Sequence, residues 1–282
     1  MSTIPKVCVI GWPIAQSRSP MIHGFWLKQH GIAGSYEKRA VPPQDLTAFV
    51  AELRTGAFAG CNVTVPHKEA IMPLLDDITP TARAIGAVNT VWREDGRLIG
   101  GNTDAEGFLA NLDELAPGWD AAPLRAVILG AGGASRALAH GLVSRGAEAI
   151  VVVNRSRARA EALAAELGAP LTAAGLDDLS RHLGTATLLV NATSLGMTGK
   201  EPLEVDLAAL NPAALVSDIV YVPLRTGLLE QAERSGFRTA EGLGMLLHQA
   251  VPGFEKWFGV RPTVTPDLRA LVEADITGSA AR

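Results

Sequence analysis

The chain has 282 residues, 48% of them apolar and 19% charged, with a formal net charge of −4. That length suits two domains better than one core, and the lack of a basic excess argues against nucleic acid and acidic membrane surfaces as partners. The two cysteines, Cys8 and Cys61, show no CxxC spacing and no His/Cys cluster, no apolar run reaches the roughly 18 residues of a membrane span, and no signal-peptide core is present. A disulfide scaffold, a metal site and a bilayer span are therefore not expected, and a cytoplasmic setting is.

The first hundred residues alternate short apolar runs with amphipathic segments: VCVIGW, PMIHGFWLKQHG, SYEKRAV, DLTAFVAELRTG and GCNVTV. This rhythm predicts βαβαβ units. Within it lies Gln16-Ser17-Arg18-Ser19-Pro20. Proline favours the first helical position, which predicts Ser19 as the N-cap of a helix running to Gly31. A helix N-terminus flanked by two hydroxyls can bind a carboxylate. Capping alone would also explain Ser19, though not Ser17.

In NVTVPHK (62–68) a strand is expected to run into a helix with Pro66 first and Lys68 in its first turn. The helix dipole disfavours an ammonium there, a placement suited to a lysine that must give up its proton. The plain alternative is a solvated surface lysine. His67 has no visible partner and reads as structural.

AVNTVWREDGRLIGGNT (87–103) predicts a hairpin around Glu94-Asp95-Gly96. Asn89 is an amide in a predicted strand, where asparagine is uncommon; it either faces a ligand or sits at an edge. Thr103 and Glu106 form a T-x-x-E capping box on paper, which leaves Asp104 either as a first-turn carboxylate favoured by the dipole or as the partner of Lys68. Residues 113–123 (DELAPGWDAAP) look like a connection.

Behind them the run AVIL, the turn GAGGAS (130–135) and a second strand ending in Asn154-Arg155-Ser156-Arg157-Ala158-Arg159 form a dinucleotide-binding pattern. An acidic residue at the end of that second strand would bind the ribose 2′-hydroxyl of NAD. Here Asn154 and Arg155, with Arg159 one turn on, suit the 2′-phosphate of NADP. Helices are expected near 134–145 and 157–167, the latter stopped by Gly168. Strands are expected at 187–193, 214–221 and 237–240, continuing a parallel sheet. The last segment, GLGMLLHQAVPGFEKWFG (242–259), is helical in pattern with a break at Pro252.

In order, S-x-S-P (17–20), NVTVPHK, GAVNT (86–90), NTD (102–104), GAGGAS, NRSRARA (154–160), NATSLGM (191–197) and GLGMLLHQA (242–250) resemble the shikimate dehydrogenase family. The resemblance implies an α/β chain. Residues 1–106, joined by C-terminal helices at about 243–282, would be a substrate-binding and catalytic domain with a mainly parallel sheet. Residues 107–242 would be a Rossmann-like NADP-binding domain, with the active site in the cleft between the two. The implied reaction is the reversible NADP-linked interconversion of 3-dehydroshikimate and shikimate in chorismate and aromatic amino-acid biosynthesis.

By that similarity Lys68 and Asp104 are the catalytic pair, Ser17 and Ser19 bind the carboxylate with help from Tyr221, and Thr64, Asn89, Asp104 and Gln249 address the ring hydroxyls. Gly130, Ala131, Gly132, Gly133 and Ala134 hold the pyrophosphate. Asn154, Arg155, Ser156 and Arg159 hold the adenosine phosphate, and Ile219, Gly242 and Met245 lie by the nicotinamide. No metal is implied. The partner is a small molecule and the assembly a monomer or homodimer. The chain departs from the family pattern at Gly101, where an Asp is common, at Ala105, commonly Gly, at Ser135 in the third fingerprint position, and at Ser156, commonly Thr. A quinate/shikimate or aminoshikimate dehydrogenase of the same family is the nearest alternative. A non-catalytic NADP-binding sensor that kept the fold is the more distant one.

Overall fold

The computed structural model describes residues 4–121 and 123–280, the side chains of 279 and 280 excepted. Two units result: one runs to Thr103 and includes Gln249–Val272, and the other comprises Asp104–His248 with the chain from Glu273 on.

The first unit contains β1 (Lys6–Gly11), α1 (Ser19–Gln29), β2 (Ser35–Ala40), α2 (Leu46–Arg54), β3 (Gly60–Val63), β4 (Asp77–Ile78), α3 (Pro80–Ile85), β5 (Thr90–Glu94) and β6 (Arg97–Gly101). Its sheet runs β2-β1-β3-β5-β6-β4. Pairs β1/β2, β1/β3 and β4/β6 are parallel, whereas β3/β5 and β5/β6 are antiparallel. The strand β1 is buried along its length after Lys6, as its unbroken apolar run requires of an inner strand. At the edge, β2 (SYEKRA) is mostly exposed, and its charged side chains discourage further strand pairing. The hairpin closes through Asp95 (φ 50°) and Gly96 (φ 79°), a two-residue loop that needs left-handed backbone at both positions. The short strand β4 carries no sequence signal of its own; it pairs only two residues with β6.

The second unit contains α4 (Asp104–Leu115), β7 (Arg125–Leu129), α5 (Gly133–Ser144), β8 (Ala149–Val153), α6 (Arg157–Leu167), β9 (Leu171–Ala174), α7 (Leu179–Leu183), β10 (Leu188–Asn191), β11 (Leu215–Asp218), α8 (Gly227–Arg234), β12 (Arg238–Ala240) and α9 (Leu243–His248). Its sheet, β12-β11-β10-β7-β8-β9, is parallel throughout. Helices on both faces leave the strands buried, which explains the continuous runs AVIL and LLVN. Residues 113–123 are not a simple connection: Ala116 and Trp119 are buried in this unit's core.

The helices α10 (Ala250–Phe258) and α11 (Pro266–Ala280) complete the chain. The expected break at Pro252 lies instead at Gln249. Pro252 is the third residue of α10, where a backbone N–H has no partner within the helix, so proline costs nothing there. The indole of Trp257 on α10 donates to the Val91 carbonyl (2.9 Å), and only a glycine at position 60 leaves room for it, since a Cβ would come within 2.2 Å of that nitrogen.

Candidate active site

Each sheet reverses its strand order beside its first strand, and ligands of open α/β sheets bind beyond the carboxyl ends of the strands at such a point. In the first unit the reversal is at β1, between β2 and β3. The loop after β1 carries Ser17 and Ser19, and the segment after β3 carries Thr64 and Lys68. Backbone bonds from Thr64 N to Ile10 O (2.9 Å) and from Trp12 N to Val65 O (3.0 Å) lace the two segments together. Gly11 allows their approach, because a Cβ there would meet Thr64 Cγ2 at 2.6 Å.

Ser19 is not the N-cap. Arg18 occupies that position without a side-chain cap bond, and Ser19 is the first residue of α1, with Pro20 second. The Ser17 hydroxyl takes the neighbouring role: it accepts from Ser19 N (3.4 Å) and donates to Ser19 Oγ (3.3 Å). The helix ends at Gln29, because Gly31 (φ 62°) turns the chain out of it. Both hydroxyls thus stand at the N-terminal end of α1, where the helix dipole favours an anion.

Lys68 also lies elsewhere than expected. Pro66 opens no helix; residues 65–71 form successive turns that lead to a 3₁₀ turn at Met72–Leu74. The Lys68 carbonyl accepts from Val88 N (2.8 Å), which draws it out of a helical ladder. Lys68 is therefore held by a neighbouring segment and not by a helix dipole. His67 is buried, and its Nε2 is 2.7 Å from the Val41 carbonyl, a structural contact.

Asn89 sits just ahead of β5, not within it, and is 2% exposed. Its Oδ1 accepts from Thr103 N (3.0 Å) and Thr90 Oγ1 (2.9 Å), and its Nδ2 donates to Thr103 Oγ1 (3.0 Å). Gln249, between α9 and α10, joins this group through its carbonyl, which accepts from Thr103 Oγ1 at 2.7 Å. Asn62 donates to Asn89 O (3.1 Å) and Thr90 Oγ1 (3.2 Å) and accepts from Tyr36 Oη (2.5 Å). Gly101 has a local reason: an added Cβ would meet the Trp92 ring at 2.8 Å, so the indole fills space that an aspartate would need.

In the second unit the reversal lies between β7 and β10. Gly130 (φ 106°) turns the chain directly after β7, and a Cβ there would meet Thr193 Cγ2 at 3.0 Å and Ala192 O at 3.2 Å. Gly132 and Gly133 are the reverse case: an added Cβ would find nothing within 4 Å, so the backbone at the start of α5 faces open space. Ala131 and Ala134 complete this turn, and the buried Ser135 closes it by accepting from Gly132 N (3.4 Å).

After β8, Asn154 Nδ2 donates to Ser156 O (2.9 Å), folding the turn before α6. Arg157 is engaged by Asp178 (3.1 Å) and Glu161 (3.3 Å). Among the described residues no ion pair engages Arg155 or Arg159, both of which are exposed.

Beyond β10 and β11 a buried carboxylate organises the rim. Asp218 accepts from Asn191 Nδ2 (2.9 Å), Val220 N (2.9 Å) and Thr226 Oγ1 (2.7 Å). Burial pushes its carboxyl up to about 6, against the three bonds that favour the ionised form. Ile219 follows on, and Gly242 packs so closely against it that a Cβ would meet Ile219 O at 2.5 Å. Tyr221 lies partly buried in the loop after β11, and Met245 lies on α9, partly buried against the core. Asp104, 6% exposed, is the first residue of α4, where the helix dipole favours a carboxylate.

The first unit thus gathers Ser17, Ser19, Thr64, Lys68, Asn89 and Gln249, and the second gathers the glycine turn, the 154–159 segment, Asp104 and the 219–245 rim. The chain matches the family models for the shikimate dehydrogenase substrate binding domain over residues 9–91, for shikimate/quinate 5-dehydrogenase over 116–203 and for the shikimate 5′-dehydrogenase C-terminal domain over 242–271. It is 56% identical over 272 residues to the shikimate dehydrogenase (NADP(+)) of Methylocella silvestris, covering 96% of this chain and 97% of that one. The chain belongs to the shikimate dehydrogenase family.

Among solved structures, a Thermus thermophilus shikimate 5-dehydrogenase in complex with NADP(H) and shikimate is 39% identical, with a TM-score of 0.85 over 96% of this chain and all of that one. A Corynebacterium glutamicum quinate dehydrogenase in complex with NAD is 30% identical, with a TM-score of 0.88 over 97% of this chain and 99% of that one. Within this shikimate dehydrogenase-family chain, sequence reasoning missed Asn62, Thr90, Asn191 and Asp218. The available signal was a polar side chain closing or opening an apolar strand: buried asparagine or aspartate is rare without a partner to satisfy.

Proposed function

We propose that this chain catalyses the reversible reduction of 3-dehydroshikimate to shikimate with NADPH. The observation that carries the coenzyme is the contrast among three arginines: Arg157 is neutralised by carboxylates, while Arg155 and Arg159 stand without an ion pair among the described residues. With Asn154 and Ser156 they form a donor set suited to a 2′-phosphate. The open backbone at Gly132 and Gly133, over the N-terminus of α5, suits a pyrophosphate in the same way. Ile219, Gly242 and Met245 would flank the nicotinamide.

Bound NADPH supplies the hydride; the chain's own residues supply position and the proton. Ser17 and Ser19 hold the carboxylate at the end of α1, assisted by Tyr221. Thr64, Asn89 and Gln249 bind ring hydroxyls. The Lys68 ammonium donates a proton to the carbonyl oxygen as it becomes an alcohol, and Asp104 orients the ammonium and the adjoining hydroxyl. Lys68 regains its proton from solvent, so one NADPH and one proton are consumed per shikimate formed. Residues up to about 106, with the C-terminal helices, serve the substrate in this reading, and the intervening residues serve the coenzyme. The cytoplasm is its setting, in keeping with two free, core-held thiols at Cys8 and Cys61.

Initial rates of nicotinamide absorbance change with shikimate or quinate, each paired with NADP or NAD, test this directly. Shikimate with NADP is expected to be fastest. A faster rate with quinate and NAD would move the chain to the activity named for its Corynebacterium glutamicum relative. In the same assay Lys68→Ala is expected to lower kcat by at least about a hundredfold, with shikimate affinity little changed. Unchanged turnover would remove Lys68 from the mechanism.

A further inference from the structure

We infer that Thr103 is the positioning residue that fixes the ring-hydroxyl side of the substrate site. This inference rests on the reading of Asn89 and Gln249 as substrate residues. Nothing in the capping pattern of the sequence requires it, since a threonine before an acidic helix start needs only to serve the helix.

Thr103 is 8% exposed and uses both its backbone and its hydroxyl. Its main-chain N–H can only donate, and it donates to Asn89 Oδ1 at 3.0 Å, so that oxygen must face it. Thr90 Oγ1 donates to the same oxygen at 2.9 Å and adds a second vote for that orientation. On the other side, Asn89 Nδ2 donates to Thr103 Oγ1 at 3.0 Å. The amide cannot flip without setting its NH₂ against the Thr103 N–H and its oxygen against a hydroxyl whose hydrogen is already committed. Of the two acceptors within its reach, Gln249 O at 2.7 Å, across 146 positions of sequence, is closer than Asn89 Oδ1 at 3.3 Å and takes that hydrogen. The Thr103 N–H and Thr90 Oγ1 therefore set the polarity of the Asn89 amide, while the Thr103 hydroxyl holds its NH₂ and anchors the backbone from which the Gln249 side chain extends.

The geometry separates the two halves of the residue. Thr103→Val keeps the shape and the N–H but removes the hydroxyl, so the bonds from Asn89 Nδ2 and to the Gln249 carbonyl are lost. Thr103→Ser keeps the hydroxyl. For Thr103→Val, the KM for shikimate is expected to rise by about tenfold or more, the scale of one or two hydrogen bonds to a buried site, while kcat falls by less. The dissociation constant for NADPH, followed by fluorescence, is expected to stay within twofold of the parent value. Thr103→Ser is expected to recover most of the shikimate affinity.

Asn89→Ala is run beside them. If Asn89→Ala leaves the shikimate KM unchanged, the reading of Asn89 as a substrate residue fails. If Asn89→Ala weakens shikimate but Thr103→Val does not, the positioning role fails while the substrate reading stands. Equal losses of shikimate and NADPH affinity in Thr103→Val, or no rescue by serine, would mark a general packing defect and overturn the inference.

Discussion

The two strand–turn–helix junctions at the reversal points of the sheets solve the same problem with different chemistry. After β1 the turn ends in Ser17, Ser19 and Pro20, with two hydroxyls at the N-terminal end of α1. After β7 the turn is Gly130-Ala131-Gly132-Gly133, and bare glycine backbone faces open space at the start of α5. A small carboxylate can be met by a pair of hydroxyls placed beside a helix end. A pyrophosphate is bulkier and must lie against the backbone itself, which only glycines permit. On the proposed reading, the same architecture serves a substrate or a coenzyme according to whether side chains or their absence line the turn.

The strongest way to break this contrast is Gly132→Asp. The backbone there (φ −103°, ψ −174°) is open to any residue, an added Cβ meets nothing, and aspartate is a favoured N-cap, so the fold is expected to hold. A carboxylate placed where phosphate is proposed to lie is expected to weaken NADP binding by at least about a hundredfold through like-charge repulsion. Shikimate binding, measured separately by calorimetry, is expected to be unaffected. NADP affinity within threefold of the parent would place the phosphates elsewhere.

The mirror experiment is Ser19→Ala. Because Arg18, not Ser19, occupies the cap position of α1, losing this hydroxyl is expected to leave the melting temperature nearly unchanged. The KM for shikimate is expected to rise by about tenfold, the scale of one hydrogen bond to a charged group. A large drop in melting temperature with unaltered KM would return Ser19 to a purely structural role.

The smallest effect concerns the two rims. The first unit's rim is a neutral network of Asn62, Asn89, Thr90 and Thr103, whereas the second is built on the buried carboxylate of Asp218. Burial raises that carboxyl from 3.8 to about 6, so between those values the native state binds more protons than the unfolded chain. Stability is therefore lost as pH rises through this window, and the cost of the buried charge is complete above about pH 6. Asp218→Asn can keep all three contacts, since the Thr226 hydroxyl can accept where it formerly donated. The variant is expected to melt a few degrees above the parent at pH 7.5, a gain on the order of 1–2 kcal/mol. The difference should shrink as pH falls from 6 towards 4. A constant offset across that range would mean that Asp218 does not titrate as its burial implies.

How much was legible beforehand differed between the units for a physical reason. The Rossmann-like half was readable because its signals are local: an apolar strand, a glycine turn and the 154–159 segment follow one another within a single βαβ unit. The hairpin was readable for the same reason, Asp95-Gly96 being a turn that few other backbones favour. The helix expected at Lys68 does not form: proline after a strand commonly opens one, but here the segment makes turns and the Lys68 carbonyl accepts a long-range bond from Val88 N. Thr103 looked like a helix cap because its partners, Asn89 and Gln249, lie 14 and 146 positions away. The reason for Gly101 lies outside its neighbours in sequence, because it is the Trp92 ring that occupies the space beside it.

By itself the sequence determined the α/β class, the coenzyme pattern and the ordered motifs that mark the family, because backbone freedom, strand burial and charge are carried by neighbours in the chain. Tertiary structure alone decided which way the Asn89 amide points, what holds the Lys68 carbonyl, which residue stands at the cap of α1 and where a buried carboxylate shapes the rim beyond β10 and β11. Those features depend on hydrogen bonds between segments distant in sequence. Such a bond requires both partners to be brought together and stripped of water, and only the folded chain does that.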